Sequence, residues 1–394
     1  MIVLCAHRLF TPREEIQDPL IFVEDGRISA VSSRAECEVP ANATIVNLAR
    51  DFPDSILVPG YVDIHVHGGK GVDLMQAEPS ELRSLNQFHA AHGVTGYFAT
   101  TVAAPLDVTY RALERLADAI EKVQNPRESN SNNDARALPL GIHLEGPFLS
   151  HQRRGVHPPE YLLEPTPEIF DRLWQAARGH VRMMTIAPEI PGAIETIAEA
   201  ARHNVCVSIG HSDADLEAAR AGVRAGARHA THTFNAMRPL DHREPGILGE
   251  VLGDDNISAD IIADGIHIAP EVVKLFLQAK GMERSVLITD ATAAAGMPEG
   301  SYQLGPIKVM VKDGKCTMDG KLAGSVLTMD RAVRNIRKFA GLSLRDAVRA
   351  ATLNAARAVR LPQHGELSAG AEANLVVLSP EGEVEKTIIR GRGF

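Results

Sequence analysis

The feature that most constrains this 394-residue chain is an alternation, sustained through its long middle part, of short apolar runs with helix-like segments. Apolar runs fall at residues 57–66, 95–100, 140–144, 182–186, 205–209, 229–234, 257–262 and 285–289. Between them, residues 80–91, 106–123, 194–202, 213–225 and 270–280 carry the helical apolar spacing. Strands joined by helical crossovers run parallel, and eight such units are expected to close into an α/β fold of the (β/α)8, TIM-like barrel type. The two chain ends depart from this alternation. Short strand-like runs at 2–4, 20–23, 28–31 and 44–48 are echoed by 373–378 and 386–390. Neither end is long enough to bury a core by itself.

Length alone would suggest two or three domains in series, at roughly 150 residues each. The pattern instead predicts a small β-sandwich domain built from residues 1–57 and 358–394, enclosing a barrel over 58–357. Two segments interrupt the barrel. Residues 125–136 (NPRESNSNNDAR) are polar and Ser/Asn-rich, and are expected to form a loop. Residues 302–324, with turns at Asp313-Gly314 and Asp319-Gly320, predict a β-hairpin inserted after the last barrel strand.

Charge bounds the partners. Lys and Arg total 41 against 50 Asp and Glu, a net of −9. This argues against nucleic acid or an anionic membrane surface, both of which need basic surface. A small anionic ligand is not excluded, because it meets only its own pocket. No apolar run approaches the roughly 18 residues of a membrane span, and MIVLCAHRLF lacks the pattern of a secretory signal. Four widely spaced cysteines (Cys5, Cys37, Cys206, Cys316) read as reduced thiols of a cytoplasmic protein.

The polar residues collect at the C-terminal ends of the predicted strands, where barrel enzymes build their sites. The first run ends in Asp63-Ile-His65-Val-His67, the third in His143-Leu-Glu145, the fifth in Gly210-His211-Ser212, the sixth in Thr231-His232-Thr233 and the eighth in Asp290. Residues two apart on a strand face the same side, so His65 and His67 are placed to grip one ion. Imidazoles and carboxylates together suit zinc, iron and similar divalent metals. One such histidine alone would read as a hydrogen-bonded core residue. Four histidines, a glutamate and an aspartate at five matching strand ends read as a metal site.

This ordered set resembles the amidohydrolase superfamily. Within it, PGYVDIHVHG (59–68), HLEGPFLS (143–150), GHSDA (210–214), THTFNAM (231–237), REPG (243–246), ADGIH (263–267), TDA (289–291) and LAGSVLTM (322–329) are similar to the N-acetylglucosamine-6-phosphate deacetylase family over nearly the whole chain. The resemblance implies metal-dependent hydrolysis of the acetamide of an N-acetylated amino-sugar phosphate. It places one metal on Glu145, His211 and His232. Because His65 and His67 are both retained, it implies a second ion there, with Glu145 bridging and Asp290 touching it; one or two zinc or iron ions per subunit are expected. Asp290 would be the catalytic proton carrier and His157 the group that polarises the acetyl carbonyl.

The substrate phosphate carries about −1.5 to −2 charges. Arg243 is the first candidate to meet it, since a guanidinium forks onto phosphate oxygens. The resemblance adds His267 and the backbone amides around Asn235 and Ala236, and implies a homodimer in which the arginine crosses the interface. Val156 and His157, the stretch Asp264, Gly265, Ile266 and His267, and the stretch Leu322, Ala323 and Gly324 match sugar-contacting segments. Taken without the resemblance, Arg243 reads as a surface ion pair with Asp241 or Glu244, and His157 as a solvated loop residue.

Two other readings compete. Another amidohydrolase, such as a cyclic-amide hydrolase or an N-acyl-amino-acid deacylase, often bridges its metals with a carboxylated lysine; here Glu145 takes that place. A non-catalytic barrel scaffold would be expected to lose ligands, and every candidate ligand is present. His89, His92, His229, Met183, Met184 and Trp174 read as packing or surface residues. Gly68-Gly69-Lys70-Gly71 lacks the spacing of a nucleotide loop.

Overall fold

The computed structural model describes residues 1–12, 14–124 and 134–393; most of the expected 125–136 loop lies outside the described residues. Eight parallel strands form one sheet in chain order: Tyr61–Val66, Val94–Thr100, Leu138–Glu145, Val181–Ile186, Cys206–Ile209, His229–Ala230, Ser258–Ile262 and Ser285–Ile288. The sheet closes where the Asp290 amide donates to His65 O at 2.9 Å and the His67 amide to Ala291 O at 2.8 Å. Every residue of the first two strands is buried, as expected for parallel strands covered on both faces. That double cover is why they read as unbroken apolar runs.

Among the described residues, eight helices of eight residues or more clothe the barrel: Leu82–Ala91, Leu106–Gln124, Pro167–Ala176, Ala193–Arg202, Leu216–Ala225, Gly246–Gly253, Pro270–Lys280 and Met329–Ala340. Their starts follow from local chemistry. The Thr166 hydroxyl accepts from the Ile169 amide ahead of Pro167, and the Asp215 carboxylate accepts from the Ala218 amide, each satisfying an otherwise orphaned donor. Among the described residues no helix is long and apolar enough to cross a membrane.

The expected first strand, 57–66, is in fact two. Ile56–Pro59 pairs antiparallel with Leu375–Leu378 and parallel with Arg8–Phe10, whereas Tyr61–Val66 belongs to the barrel. Gly60 sits at the break, where a Cβ would lie 2.3 Å from the Thr95 side chain. Pro59 also brings no N–H to a ladder. The sixth strand stops at Ala230 rather than Phe234 because the backbone turns left-handed at His232 (φ 30°) and Phe234 (φ 80°). The expected hairpin is a four-stranded antiparallel sheet, Gly300–Leu304, Ile307–Lys312, Lys315–Met318 and Lys321–Leu322. The reversal at Gly305 (φ 53°) adds the unforeseen first pair, while both Asp-Gly turns have positive φ at each residue, as tight hairpins require.

The chain ends form two further sheets. One orders Arg27–Ser33, Pro19–Glu24, Ile2–Cys5 and Thr44–Asn47; the other orders Val384–Ile388, Leu375–Leu378, Ile56–Pro59, Arg8–Phe10 and Glu15–Gln17. Leu4, Ile21, Val23, Leu57, Leu375, Val377 and Ile388 share one core between them. All four cysteines are free, with Cys5 and Cys316 buried.

Candidate metal centre and active site

Six side chains converge at the C-terminal mouth of the barrel. Glu145 ends the third strand and stands at the centre: its Oε1 lies 3.0 Å from His232 Nε2, 3.2 Å from His211 Nε2 and 3.5 Å from His65 Nε2. Its Oε2 lies 3.3 Å from His67 Nε2. Asp290 Oδ1 is 3.2 Å from His67 Nε2 and 3.6 Å from His65 Nε2. The ring nitrogens crowd in pairs, His65 to His67 at 3.2 Å and His211 to His232 at 3.0 Å. All six residues are buried.

Backbone geometry aims three of them. His211 (φ 47°), His232 (φ 30°) and Asp290 (φ 51°) are left-handed where their strands end. For a non-glycine residue this costs on the order of 1 kcal/mol. Local hydrogen bonds offset it: the Ser150 amide donates to His211 O, and the Ser325 amide donates to Asp290 O at 2.7 Å. In return, the second residue after each strand turns its side chain into the mouth.

The hydrogen-bond partners of the rings decide which histidines can hold metal. The Nδ1–H of His211 donates to Arg153 O at 2.9 Å, and that of His67 to Thr100 O at 3.3 Å. A carbonyl can only accept, so each neutral ring carries its lone pair on Nε2, towards the carboxylates. His157 is opposite. Its Nδ1 accepts from the Ala103 amide at 3.1 Å, so a neutral ring carries its proton on Nε2, which lies 3.6 Å from Glu145 Oε2. His157 therefore faces the centre as a donor, although its ring nitrogen is close enough to Glu145 and His211 to share an ion with them. It is also buried, not a solvated loop residue.

Electrostatics show what the centre wants. Burial opposes a charge on His67, yet the Asp290 and Glu145 carboxylates beside it outweigh that and lift the imidazole to about 10. Burial likewise opposes charge on His232, but Glu145 prevails and lifts it to about 9. At His211 burial prevails and lowers it to about 4. Burial would raise Glu145, but the surrounding histidines, His65 first, hold it well below the usual carboxylate range. Two carboxylates thus draw positive charge into a buried pocket whose imidazoles present lone pairs. Asp290 Oδ1 accepts no hydrogen bond from any described group. This donor set fits one or two divalent ions, with His65, His67 and Asp290 on one side, His211 and His232 on the other, and Glu145 between.

The remaining predicted residues are placed as follows. Val156 is buried beside His157. Asp264 Oδ1 accepts the amides of Ile266 and His267, each at 2.8 Å, and its Oδ2 accepts from His267 Nδ1–H at 2.7 Å. Gly265 turns with φ 77°. The Ala323 amide donates to Cys316 O in the inserted sheet, next to Leu322. At Gly324 (φ 59°) a Cβ would stand 3.0 Å from Asp290 O and 2.5 Å from Thr292 Cγ2. The inserted sheet thus ends directly against Asp290. The Asn235 amide donates to His232 O at 2.9 Å, and the neighbouring Ala236 amide has no described acceptor. Arg243 is exposed, and its carboxylate neighbours are engaged elsewhere: Glu244 pairs with Arg238 at 3.2 Å, and Asp241 Oδ1 accepts the amides of Arg243 and Glu244. Among the described residues no ion pair holds its guanidinium.

Three supporting residues carry no role assigned from the chain, Asp63 and His143 standing there only as polar strand-end residues. Asp63 accepts the Thr289 hydroxyl at 2.6 Å and the amides of Thr289 and His65, tying strand one to strand eight; its burial raises it to about 6. Its place two residues before His65, on the same strand face, was the available signal. His143 Nε2 meets Thr185 Oγ1 at 2.8 Å inside the barrel. Asp260 meets His229 at 2.8 Å. His229 stays out of the ligand cluster, while His89 is buried against Tyr97 and His92 pairs with Asp330 at 3.1 Å.

A closed (β/α)8 barrel with a His/Glu/Asp cluster at its C-terminal mouth defines a metal-dependent hydrolase. Residues 56–393 match the model of the Amidohydrolase family. N-acetylglucosamine-6-phosphate deacetylase from Bacillus subtilis is 36% identical over 388 residues, 97% of this chain and 94% of its own. N-acetylgalactosamine-6-phosphate deacetylase from Escherichia coli O157:H7 is 36% identical over 99% of this chain and 98% of its own. The structure of N-acetyl-D-glucosamine-6-phosphate deacetylase from Mycobacterium smegmatis superposes with a TM-score of 0.88 at 36% identity, covering 100% of this chain and 99% of that one. The chain belongs to the amidohydrolase family, among its amino-sugar-6-phosphate deacetylases.

Proposed function

We propose that the protein hydrolyses the acetamide of N-acetyl-D-glucosamine 6-phosphate to D-glucosamine 6-phosphate and acetate. The observation that carries this reading is the pairing of the six-residue ligand cluster with His157, a histidine whose proton faces the cluster instead of its lone pair. His65, His67 and Asp290 would hold one divalent ion, His211 and His232 another, and Glu145 both; zinc and iron suit the set. When bound, such ions supply Lewis acidity that lowers the pKa of water towards neutrality. Asp290 takes the proton as water attacks the carbonyl carbon, then delivers it to the nitrogen as the C–N bond breaks. His157 Nε2–H donates to the carbonyl oxygen as negative charge develops there. Asp264 orients His267 towards the 6-phosphate, assisted by the Ala236 amide. The unpaired, exposed Arg243 suits a guanidinium that serves the phosphate pocket of a second copy, and we read the protein as a homodimer.

The shared core of the terminal sheets supports treating 1–57 and 358–394 as one unit around the barrel. Free thiols suit a reducing compartment, and we place the protein in the cytoplasm.

Acetate release from N-acetyl-D-glucosamine 6-phosphate, assayed after chelator treatment and again after adding zinc or ferrous ion, tests the reading. Activity lost and then restored supports it; activity indifferent to the chelator overturns the metal mechanism. A second reading, the C4 epimer as substrate, is favoured by the equal identity to the galactosamine-type relative. The same assay run on both sugars separates the two.

A further inference from the structure

Asp260, in the seventh barrel strand, is fully buried and faces the sixth strand, not the mouth. Its Oδ1 accepts the backbone N–H of His232, and its Oδ2 accepts from His229 Nε2–H at 2.8 Å. Its own carbonyl accepts the Thr233 amide at 2.9 Å. Three hydrogen bonds therefore tie residues 229–233 to one side chain and its carbonyl, across the point where the backbone turns to φ 30° at His232. That turn is what carries the His232 ring from the strand direction to 3.0 Å from Glu145.

We propose that Asp260, held in place by His229, is a positioning residue that sets the backbone of His232 and thereby the metal affinity of the His211–His232 side of the centre. The proposal rests on the reading of His232 as a metal ligand. Ordinary ladder hydrogen bonding cannot do this work. The sixth strand ends at Ala230, so the His232 N–H lies beyond its last paired residue and needs a side-chain acceptor. His229 supplies the second half of the device. A buried carboxylate with one oxygen unpaired would be free to turn, and His229 fills that oxygen. His229 Nδ1 has no described partner, so the bond to Asp260 is the ring's one described hydrogen bond and gives it its orientation.

The test is cobalt(II) titration of the metal-free full chain, read by visible absorption and by competition with a chelator. Asp260→Ala should weaken one of the bound ions by about 10- to 100-fold and leave the other unchanged. Asp260→Asn keeps an acceptor for the His232 amide and should stay within a few-fold of the parent. Should Asp260→Ala not fold, His229→Leu should weaken the same ion, and His229→Gln, which still donates to Oδ2, should restore it. Parent-like cobalt affinity in Asp260→Ala or His229→Leu, with only a lower melting temperature, overturns the proposal and leaves the proposed function standing. A parent protein that takes up no cobalt overturns both.

Discussion

The backbone amide of Ala103 donates to Nδ1 of His157 at 3.1 Å. This one contact separates His157 from the four histidines around it. A ring whose Nδ1 is an acceptor cannot present an Nε2 lone pair unless it loses a further proton, so it donates. The opposite arrangement at His211, where Arg153 O accepts from Nδ1–H, leaves the lone pair facing Glu145. Replacing His157 by Asn should therefore leave metal content unchanged and lower kcat by about 10²- to 10³-fold, the usual loss of an oxyanion-type donor. Elemental analysis alongside steady-state kinetics checks it; loss of an ion would make His157 a ligand.

Asp290 is held at the mouth by its amide on His65 O and by the Ser325 amide on its carbonyl, while its Oδ1 accepts no hydrogen bond from the described residues. Asp290→Asn preserves the shape and removes the proton acceptor. The expected outcome is a fall in kcat of about 10²- to 10⁴-fold with metal still bound. Retained turnover would remove Asp290 from the proton path.

His65 and His67 approach Asp290 at 3.6 Å and 3.2 Å, whereas His211 and His232 approach Glu145 from the other side. The double variant His65→Ala/His67→Ala should lose one ion and keep the other. Metal stoichiometry by atomic emission decides; two ions retained would place the second site elsewhere.

Away from the centre, burial would raise Asp330, but the His92 ring, 3.1 Å away, and the Arg334 ion pair, at 3.0 Å, hold it at about 2. A carboxyl depressed in the fold contributes stability above its unfolded value near 4, lost as pH falls towards 2; the shift corresponds to about 2 kcal/mol. In urea titrations, wild type should exceed Asp330→Asn by about that amount near pH 6, the gap closing below about pH 4. A gap independent of pH would contradict the assignment.

The legibility of the molecule in its sequence followed physical rules. Parallel strands buried on both faces run apolar from end to end, so the polar residues that break them, from His65 to Asp290, stood out at the mouth. Gly60 was harder to read. Between two apolar runs it looks like part of a single strand, and only its closeness to Thr95 shows the chain changing sheets. Arg8–Phe10 and Glu15–Gln17 are three residues each, too short for an alternation to register. The four-stranded insert was half visible, because its Asp-Gly turns announce themselves while the turn at Gly305 depends on Asp73 Oδ2 accepting the Gly305 amide from far along the chain. The proton on His157 could not be read at all, since it is set by a backbone amide 54 residues away. Asp260 sits inside an apolar strand and gave no pattern of its own.

The central claim is that the mouth binds a phosphorylated N-acetyl sugar and hydrolyses its amide. It is tested most directly by comparing acetate release from N-acetyl-D-glucosamine 6-phosphate and from unphosphorylated N-acetyl-D-glucosamine with the metal-loaded protein. Two charge-assisted contacts to phosphate predict a kcat/KM at least about 100-fold higher for the phosphorylated sugar. Equal values for the two sugars, or no acetate from either, would contradict the account.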